Sequence, residues 1–388
     1  MRIEQFRWTA GRGWEPGQPG EAAEDADLLL VFGSTALLRE GGPYAEACAA
    51  YPAAFRFGCS TAGDIFGTQV SDDSLVITAV RFAETRIAGA STPISDLEDS
   101  FAAGERLAGA LDPEGLIHVF VLSDGVHVNG SELVKGLTAR LRRDVTVTGG
   151  LSGDGPRFRA TVVLCGGEPA APAPDIAAAL GFYGAGLRVG YASLGGWDAF
   201  GPERLITRSR GNVLYELDGR SALELYKTYL GPHAADLPAS GLLFPLSLRT
   251  ESGDSPPLVR TILGVSEEES SMTFAGDVPM GAYGRFMKAN FDRLIDGAVG
   301  AARTSSEAIG AIGASGAAEL ALLVSCVGRR LVLAQRVEEE IEGVREVLGD
   351  ATVLAGFYSY GEISPFTPSA RCELHNQTMT ITTLAERR

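Results

Sequence analysis

An apolar strand that ends in a glycine and runs into a serine-bearing turn occurs three times in this chain, and that repetition limits the folds open to it. The first copy is Phe55-Arg56-Phe57-Gly58-Cys59-Ser60-Thr61-Ala62-Gly63-Asp64-Ile65 and the last is Val353-Leu354-Ala355-Gly356-Phe357-Tyr358-Ser359-Tyr360-Gly361-Glu362-Ile363. Both finish in glycine, an acid and isoleucine. The middle copy, from Val145 to Gly155, keeps the strand, the glycine, Ser152 and Asp154 at altered spacing, with Gly150 read as the counterpart of Gly58 and Gly356. Turns of this kind bring bare backbone N–H groups close to whatever lies beyond the strand end. Three of them predict a pocket where they gather.

Each copy sits inside a longer unit of the form β-α-β-turn-β. Unit one runs from Leu28-Leu29-Leu30-Val31-Phe32 through a helix to the turn and on to Leu75–Val80. In unit two the parts are Ile117–Leu122, a helix, the turn and Ala160–Leu164; in unit three they are Leu320–Cys326, a helix, the turn and Thr378–Thr382. Leu133, Leu137 and Leu141 fall at helical spacing behind Asn129 and Glu132, an N-cap and its partner three residues on. Val337, Ile341, Val344 and Leu348 form a second stripe ending at Gly349, and Ser95 with Glu98 reads as a capping box ahead of Leu97, Phe101, Leu107 and Leu111. The expected class is α/β (mixed α+β), with repeated units forming mixed sheets flanked by helices. A chain of 388 residues exceeds the usual size of one core, so two domains are expected. The divisions are a segment 1–24, a domain 25–218 and a domain 219–388. The boundary falls where a strand-like Leu205–Leu217 stretch gives way to a helix Ser221–Leu230 closed by Gly231-Pro232.

A formal charge of −16 argues against nucleic acid or an anionic membrane as partner, since both are bound through basic surfaces. No window approaches the length of a membrane-spanning apolar run, and Met1-Arg2-Ile3-Glu4-Gln5 lacks the apolar core of a signal peptide. Five cysteines without close pairing fit a reducing compartment. These features together predict a soluble cytoplasmic protein.

The ordered set Gly58–Asp64, Gly149–Asp154, Ser221–Tyr226, Phe244-Pro245-Leu246, Val259-Arg260, Ser325–Arg329, Gly356–Glu362 and His375-Asn376-Gln377-Thr378 resembles the FIST proteins, which carry paired FIST N and FIST C regions. The resemblance implies a sensory, signal-transduction module for small ligands, with amino acids as the suggested class. It also implies one alternative, a haem-binding nitric-oxide sensor; a second, an uncharacterised cysteine-dependent enzyme, comes from the residues themselves, Cys59 in its tight turn and Cys326 at a strand end. Many relatives are fused to an output domain or work beside a histidine kinase. Nothing is left for an output domain after Glu386, so a separate signalling partner is expected.

A free amino acid needs donors for its carboxylate and an acid for its ammonium group. The turn N–H groups from Cys59 to Gly63, with the hydroxyls of Ser60 and Thr61, are candidates for the first role; Asp64 or Glu362 are candidates for the second. Gly58, Ser152 and Ser359 occupy the same turns. Arg329 is a candidate for a bidentate carboxylate contact or, equally, for a structural ion pair. Tyr358 and Tyr360 are the polar-tipped aromatics nearest the third turn. His375 is the histidine best placed to exchange a proton or hold haem iron, with Asn376 beside it. Cys59, in its tight turn, is the nucleophile of the enzyme reading and a buried inert thiol otherwise. No histidine pair has metal-ligand spacing, and no cofactor other than haem is implied.

Overall fold

The computed structural model describes residues 1–21, 25–167, 171–237, 239–249, 257–311, 317–366 and 370–387. In unit one, strand Leu28–Gly33 runs parallel to Phe55–Ser60, helices Thr35–Glu40 and Gly42–Ala50 cross between them, and Ser74–Arg81 returns antiparallel beside the first strand. Unit two repeats this arrangement with Leu116–Ser123, helix Gly130–Arg140, Thr146–Leu151 and the return strand Ile176–Tyr183. Unit three does so with Leu320–Cys326, helices Val327–Leu333 and Val337–Leu348, Val353–Ser359 and Met379–Glu386.

After each turn the chain leaves its own sheet and pairs with the second strand of a neighbouring unit. Asp64–Phe66 joins Val353–Ser359, Val163–Gly166 joins Phe55–Ser60, and Gly361–Pro365 joins Thr146–Leu151. The three six-stranded sheets are therefore linked in a closed cycle, each unit lending a strand to the next. This corrects the expected return strand of unit two. The apolar run ending at Leu164 serves the first sheet, and the return strand begins only at Ile176.

The equivalence extends to single residues. Gly58, Gly149 and Gly356 face Val31, Val121 and Leu323 in the parallel ladders. A Cβ at these glycines would lie 1.8, 1.9 and 2.0 Å from the facing carbonyl oxygens, so the close approach of the strands excludes any side chain. Gly149, not Gly150, is thus the true counterpart in the middle turn. Asp73, Asp175 and Gln377, each just before a return strand, all have positive φ, at 50°, 53° and 63°. The residues after them accept at their carbonyls from Ser34, Asp124 and Cys326 N–H at 3.1, 2.8 and 3.1 Å. Three left-handed turns thus close the three units in the same way.

The strands read as continuous apolar runs because both faces are covered, by helices outside and by the other sheets inside. The inner core draws on all three sheets, with Phe32 stacked on Phe357 at 4.8 Å and Phe57 edge-on to Phe120 at 6.2 Å. Helix Gly130–Arg140 is capped as expected, since the Asn129 side chain accepts from the Ser131 and Glu132 amides. The Ser95–Glu98 box is not used. Helix Ser100–Ala110 starts later behind Asp99, whose carboxylate takes the Ser95 amide, and Leu97 is left exposed.

Between units two and three lies a separate β-rich region, Asp198–Lys288, with its own core around Ile206, Leu217, Tyr226, Phe274 and Phe286. The helix Ala222–Leu230, capped by Ser221 and Gly231, lies where the sequence places it. Strand Val213–Leu217, just before the expected boundary at Asp218-Gly219, pairs across it with both Arg220–Ser221 and Ser271–Phe274. Nor does the segment 1–24 stand apart: Arg2–Thr9 and Gly13–Glu15 complete the first sheet, while 22–24 lie outside the described residues. No helix among the described residues is long and apolar enough to cross a membrane.

Candidate functional site

The three turns meet. The Ala62 N–H donates to Tyr358 O at 2.8 Å, Gly153 N–H to Ser60 O at 2.8 Å and Tyr360 N–H to Leu151 O at 3.3 Å. These six residues hold equivalent places, two and four beyond Gly58, Gly149 and Gly356, so the bonds form a closed ring. The tyrosine hydroxyl of Tyr360 adds a pin, accepting from Asp154 and Phe158 N–H at 2.9 and 3.1 Å and donating to Gly155 O at 2.9 Å.

On the unit-one side of the ring opens a cavity of about 460 Å³ lined by Thr61, Gly63 and Asp64 of the first turn, Asp72 and Asp73 of the following hairpin, and Gly155 and Arg157 of the second turn. Arg330, Leu331 and Val337 from the helices of unit three form the opposite wall. This volume lies within the usual range for small-ligand sites. Arg330 donates to Asp72 at 2.6 and 2.7 Å and to Ala62 O at 2.6 Å, with Tyr358 beneath its guanidinium. It can lie there because residue 63 is a glycine, at φ 135°, where a Cβ would come within 2.8 Å of Arg330 Nη1. Arg157 is more open and holds Asp154 at 2.6 Å.

Asp64 is fully buried behind this wall. One oxygen accepts from Thr61 Oγ1 at 2.6 Å and the other from Ser74 Oγ at 2.6 Å. Burial pushes its carboxyl up to about 7 against those two hydrogen bonds, and Asp72 adds to the rise. A carboxyl poised there can change charge near neutral pH. Glu362 is its counterpart in unit three, bonded to Ser359 Oγ at 2.7 Å and Thr378 Oγ1 at 3.0 Å, and burial pushes it up to about 8. Glu362 lines neither of the described cavities.

Of the residues singled out on sequence, Thr61 and Asp64 line the cavity and the others do not. Arg329 is wholly buried and pairs with Glu340 at 2.6 Å, its remaining donors taken by the Gly195 and Leu294 carbonyls. The structure gives it the ion-pair role rather than the ligand role. Tyr358 donates to the same Glu340 at 2.6 Å, and burial holds its phenol protonated. Ser60 Oγ accepts from Val162 N–H at 2.9 Å, and Ser152 Oγ donates to Ser123 O at 2.9 Å. Both serve the strand ends. Gly58 and Cys59 belong to the ladder and the inner core, and burial pushes the Cys59 thiol well above its usual range. A buried protonated thiol packed with Phe57 and Phe32 is no nucleophile, so Cys59 does not fit the role the cysteine-enzyme reading gives it.

His375 is buried against Phe366, with Nε2 on Ser364 O at 2.7 Å, and burial lowers it to about 4. No histidine lines either described cavity. Buried and bonded through Nε2, His375 itself does not fit the role of an axial ligand to a haem in either of these cavities. Asn376 and Gln377 are buried, and both side-chain polar atoms of each are without a partner among the described residues. Asp124, His127 and Asp175 bring ligand atoms within 4.8 Å of one another. Asp124 is already engaged by the Val126 and His127 amides and by Thr161.

The cavity residues that sequence reasoning missed are Arg330, Arg157, Asp72 and Asp73. Their signals were present: an Arg329-Arg330 pair at a helix start can turn only one member to the core, and Asp72-Asp73 is a charged hairpin tip.

No curated protein matches the sequence. Among solved structures, a cyanuric acid hydrolase described as an innovation by structural concatenation aligns over 100% of this chain and 99% of its own, at 9% identity and a TM-score of 0.31. A second, the cyanuric acid hydrolase of A. caulinodans, aligns over 78% of this chain and 100% of its own, at 12% identity and a TM-score of 0.19. The FIST N domain model matches residues 27–220 and the FIST C domain model residues 222–365. FIST domains are small-ligand sensory modules, and with the two models consecutive over most of its length, this chain belongs to the FIST family.

Proposed function

We propose that this chain is a cytoplasmic sensor that binds a free amino acid in the cavity at its first turn and signals to a separate protein, such as a histidine kinase. The observation that carries the reading is the opposition of charge across that cavity. Arg157 and Arg330 offer guanidinium forks for a carboxylate, while Asp64 and Asp73 stand ready for an ammonium group. Leu331, Ala334 and Val337 provide an apolar wall for a side chain. An arriving ammonium group would favour the ionised form of Asp64, so binding would release a proton near neutral pH.

A thermal-shift panel of the natural amino acids tests this. At least one is expected to raise the melting temperature with concentration, gaining roughly 2.7 kcal/mol at about 100 times its dissociation constant. The response should vanish in Asp64→Asn. A panel with no responder would sink the amino-acid reading.

A further inference from the structure

A second cavity, of about 230 Å³, lies where the helix Gly130–Arg140 meets the β-rich region and the hairpin of the third turn. Its walls combine Ser131 and Lys135 of the helix, Arg260 of strand Leu258–Arg260, and Arg371 and Glu373 beside the last hairpin. Arg260 is 3% exposed, yet its hydrogen bonds are to backbone oxygens, Asp277 O at 3.1 Å and Leu374 O at 2.8 Å. No ion pair to Arg260 occurs among the described residues. A buried cation without a bonded counter-charge is costly, and native proteins seldom leave one so. Burial lowers Arg260 to about 10, a mark of that cost.

Three further features face the same space. Ser131 is 4% exposed and its hydroxyl has no partner among the described residues, although it lines the cavity in the first turn of an eleven-residue helix. Arg371 is exposed at the rim and makes no hydrogen bond or ion pair among the described residues. Lys135 brings one of the chain's few lysines to the opposite lip. Two acids also line the wall. Asp277 is held by Asn129 at 3.2 Å and Lys135 at 3.5 Å; burial raises Glu373 against the nearby charges of Arg260, Lys135 and Arg371, and the two acids offset the buried charge of Arg260 only in part.

We infer that this cavity is a binding site for a small oxyanion, a carboxylate or phosphate group, taken between Arg260 and Arg371 with the Ser131 hydroxyl as a further donor. Its walls come from the FIST N match (Ser131, Lys135), the FIST C match (Arg260) and the segment after both (Arg371, Glu373), so the bound anion joins the two halves of the chain. The site is separate from the amino-acid cavity and does not depend on that reading. Its size, below the usual range for drug-sized ligands, fits a compact anion.

Titration with inorganic phosphate and, separately, malonate at constant ionic strength, read by calorimetry and thermal shift, tests it. Saturable binding of one anion is expected, and the tighter one identifies the phosphate or the carboxylate source. Arg371→Ala, an exposed position, should weaken that binding about tenfold without changing the unliganded melting temperature. Arg157→Ala, in the other cavity, should leave it unchanged. Absence of saturable binding by both anions, or undiminished binding in Arg371→Ala, overturns the proposal.

Discussion

Units one and three place the same device at the same point of their turns: a buried carboxyl held by the hydroxyl three residues before it and by the one that opens the return strand. In unit one the set is Thr61, Asp64 and Ser74; in unit three it is Ser359, Glu362 and Thr378. What differs is the cover. Over Asp64 the wall carries Arg330 and Arg157 and opens to solvent, whereas Glu362 sits near the sealed Arg329–Glu340–Tyr358 network. The repeated device is architecture, and a binding site arises only where its surroundings leave it open.

The largest effect should come from breaking the sealed side. Arg329→Ala leaves Glu340 buried and uncompensated, a loss of about 3–5 kcal/mol. Urea unfolding measures it, and near-wild-type stability would show that Arg329 does not lock unit three. Glu340→Gln tests the same network from its acid end.

The two carboxyls can next be compared through pH. Both have folded pKa values raised above those of the unfolded chain, so the fold binds the proton more tightly. Stability is then greatest at low pH and declines as the groups are forced to ionise, for Asp64 from about pH 4 to 7 and for Glu362 up to about 8. At about 1.4 kcal/mol for each pH unit, Asp64 alone accounts for on the order of 4 kcal/mol of that decline. Asp64→Asn should flatten the lower part of the profile, and Glu362→Gln the part that extends past pH 7. Equal profiles in both variants would mean that the two sites do not differ as their surroundings require.

A third test concerns the equivalence itself. Gly58→Ala, Gly149→Ala and Gly356→Ala each force a methyl group into the facing carbonyl, and each should cost about 1–3 kcal/mol. Similar losses, measured by chemical unfolding, are the signature of three matched ladders. A tolerated Gly149→Ala would detach the middle unit from the comparison.

Much of this architecture was legible in the sequence. The apolar strands, the helical stripes at Leu133–Leu137 and Ile341–Leu348, and the glycine turns specify local structure through burial and backbone sterics, which short windows record. The exchange of strands between units was not legible, because Val163–Gly166 and Ile176–Tyr183 are both apolar and only the pairing distinguishes them. The site was legible to the level of the turn. Thr61 and Asp64 follow from the motif, but whether Arg329 or Arg330 faces the cavity depends on the rotation of one helix. The same limit separates Asp64 from Glu362, whose local sequences match and whose covers come from residues far along the chain.

The smallest effect on stability is expected at Arg157, and it bears most directly on the open side. Its side chain is 55% exposed, and its buried partner Asp154 keeps hydrogen bonds from the Thr35 hydroxyl and the Ala160 amide, so Arg157→Ala should lower unfolding stability by only about 1 kcal/mol. If the carboxylate of an amino acid rests on Arg157, the same substitution removes a charge-assisted hydrogen bond worth about 1.5–3 kcal/mol and weakens binding roughly 10- to 100-fold. Calorimetry with the responding amino acid separates the two quantities. Affinity should also rise with pH between 6 and 8, since ionised Asp64 is the form that takes the ammonium group, and that rise should persist in Arg157→Ala while vanishing in Asp64→Asn. Binding that is strong in Arg157→Ala yet keeps its pH dependence would leave Arg330 as the carboxylate anchor; binding indifferent to both substitutions would place the amino acid elsewhere than on the unit-one side of the ring.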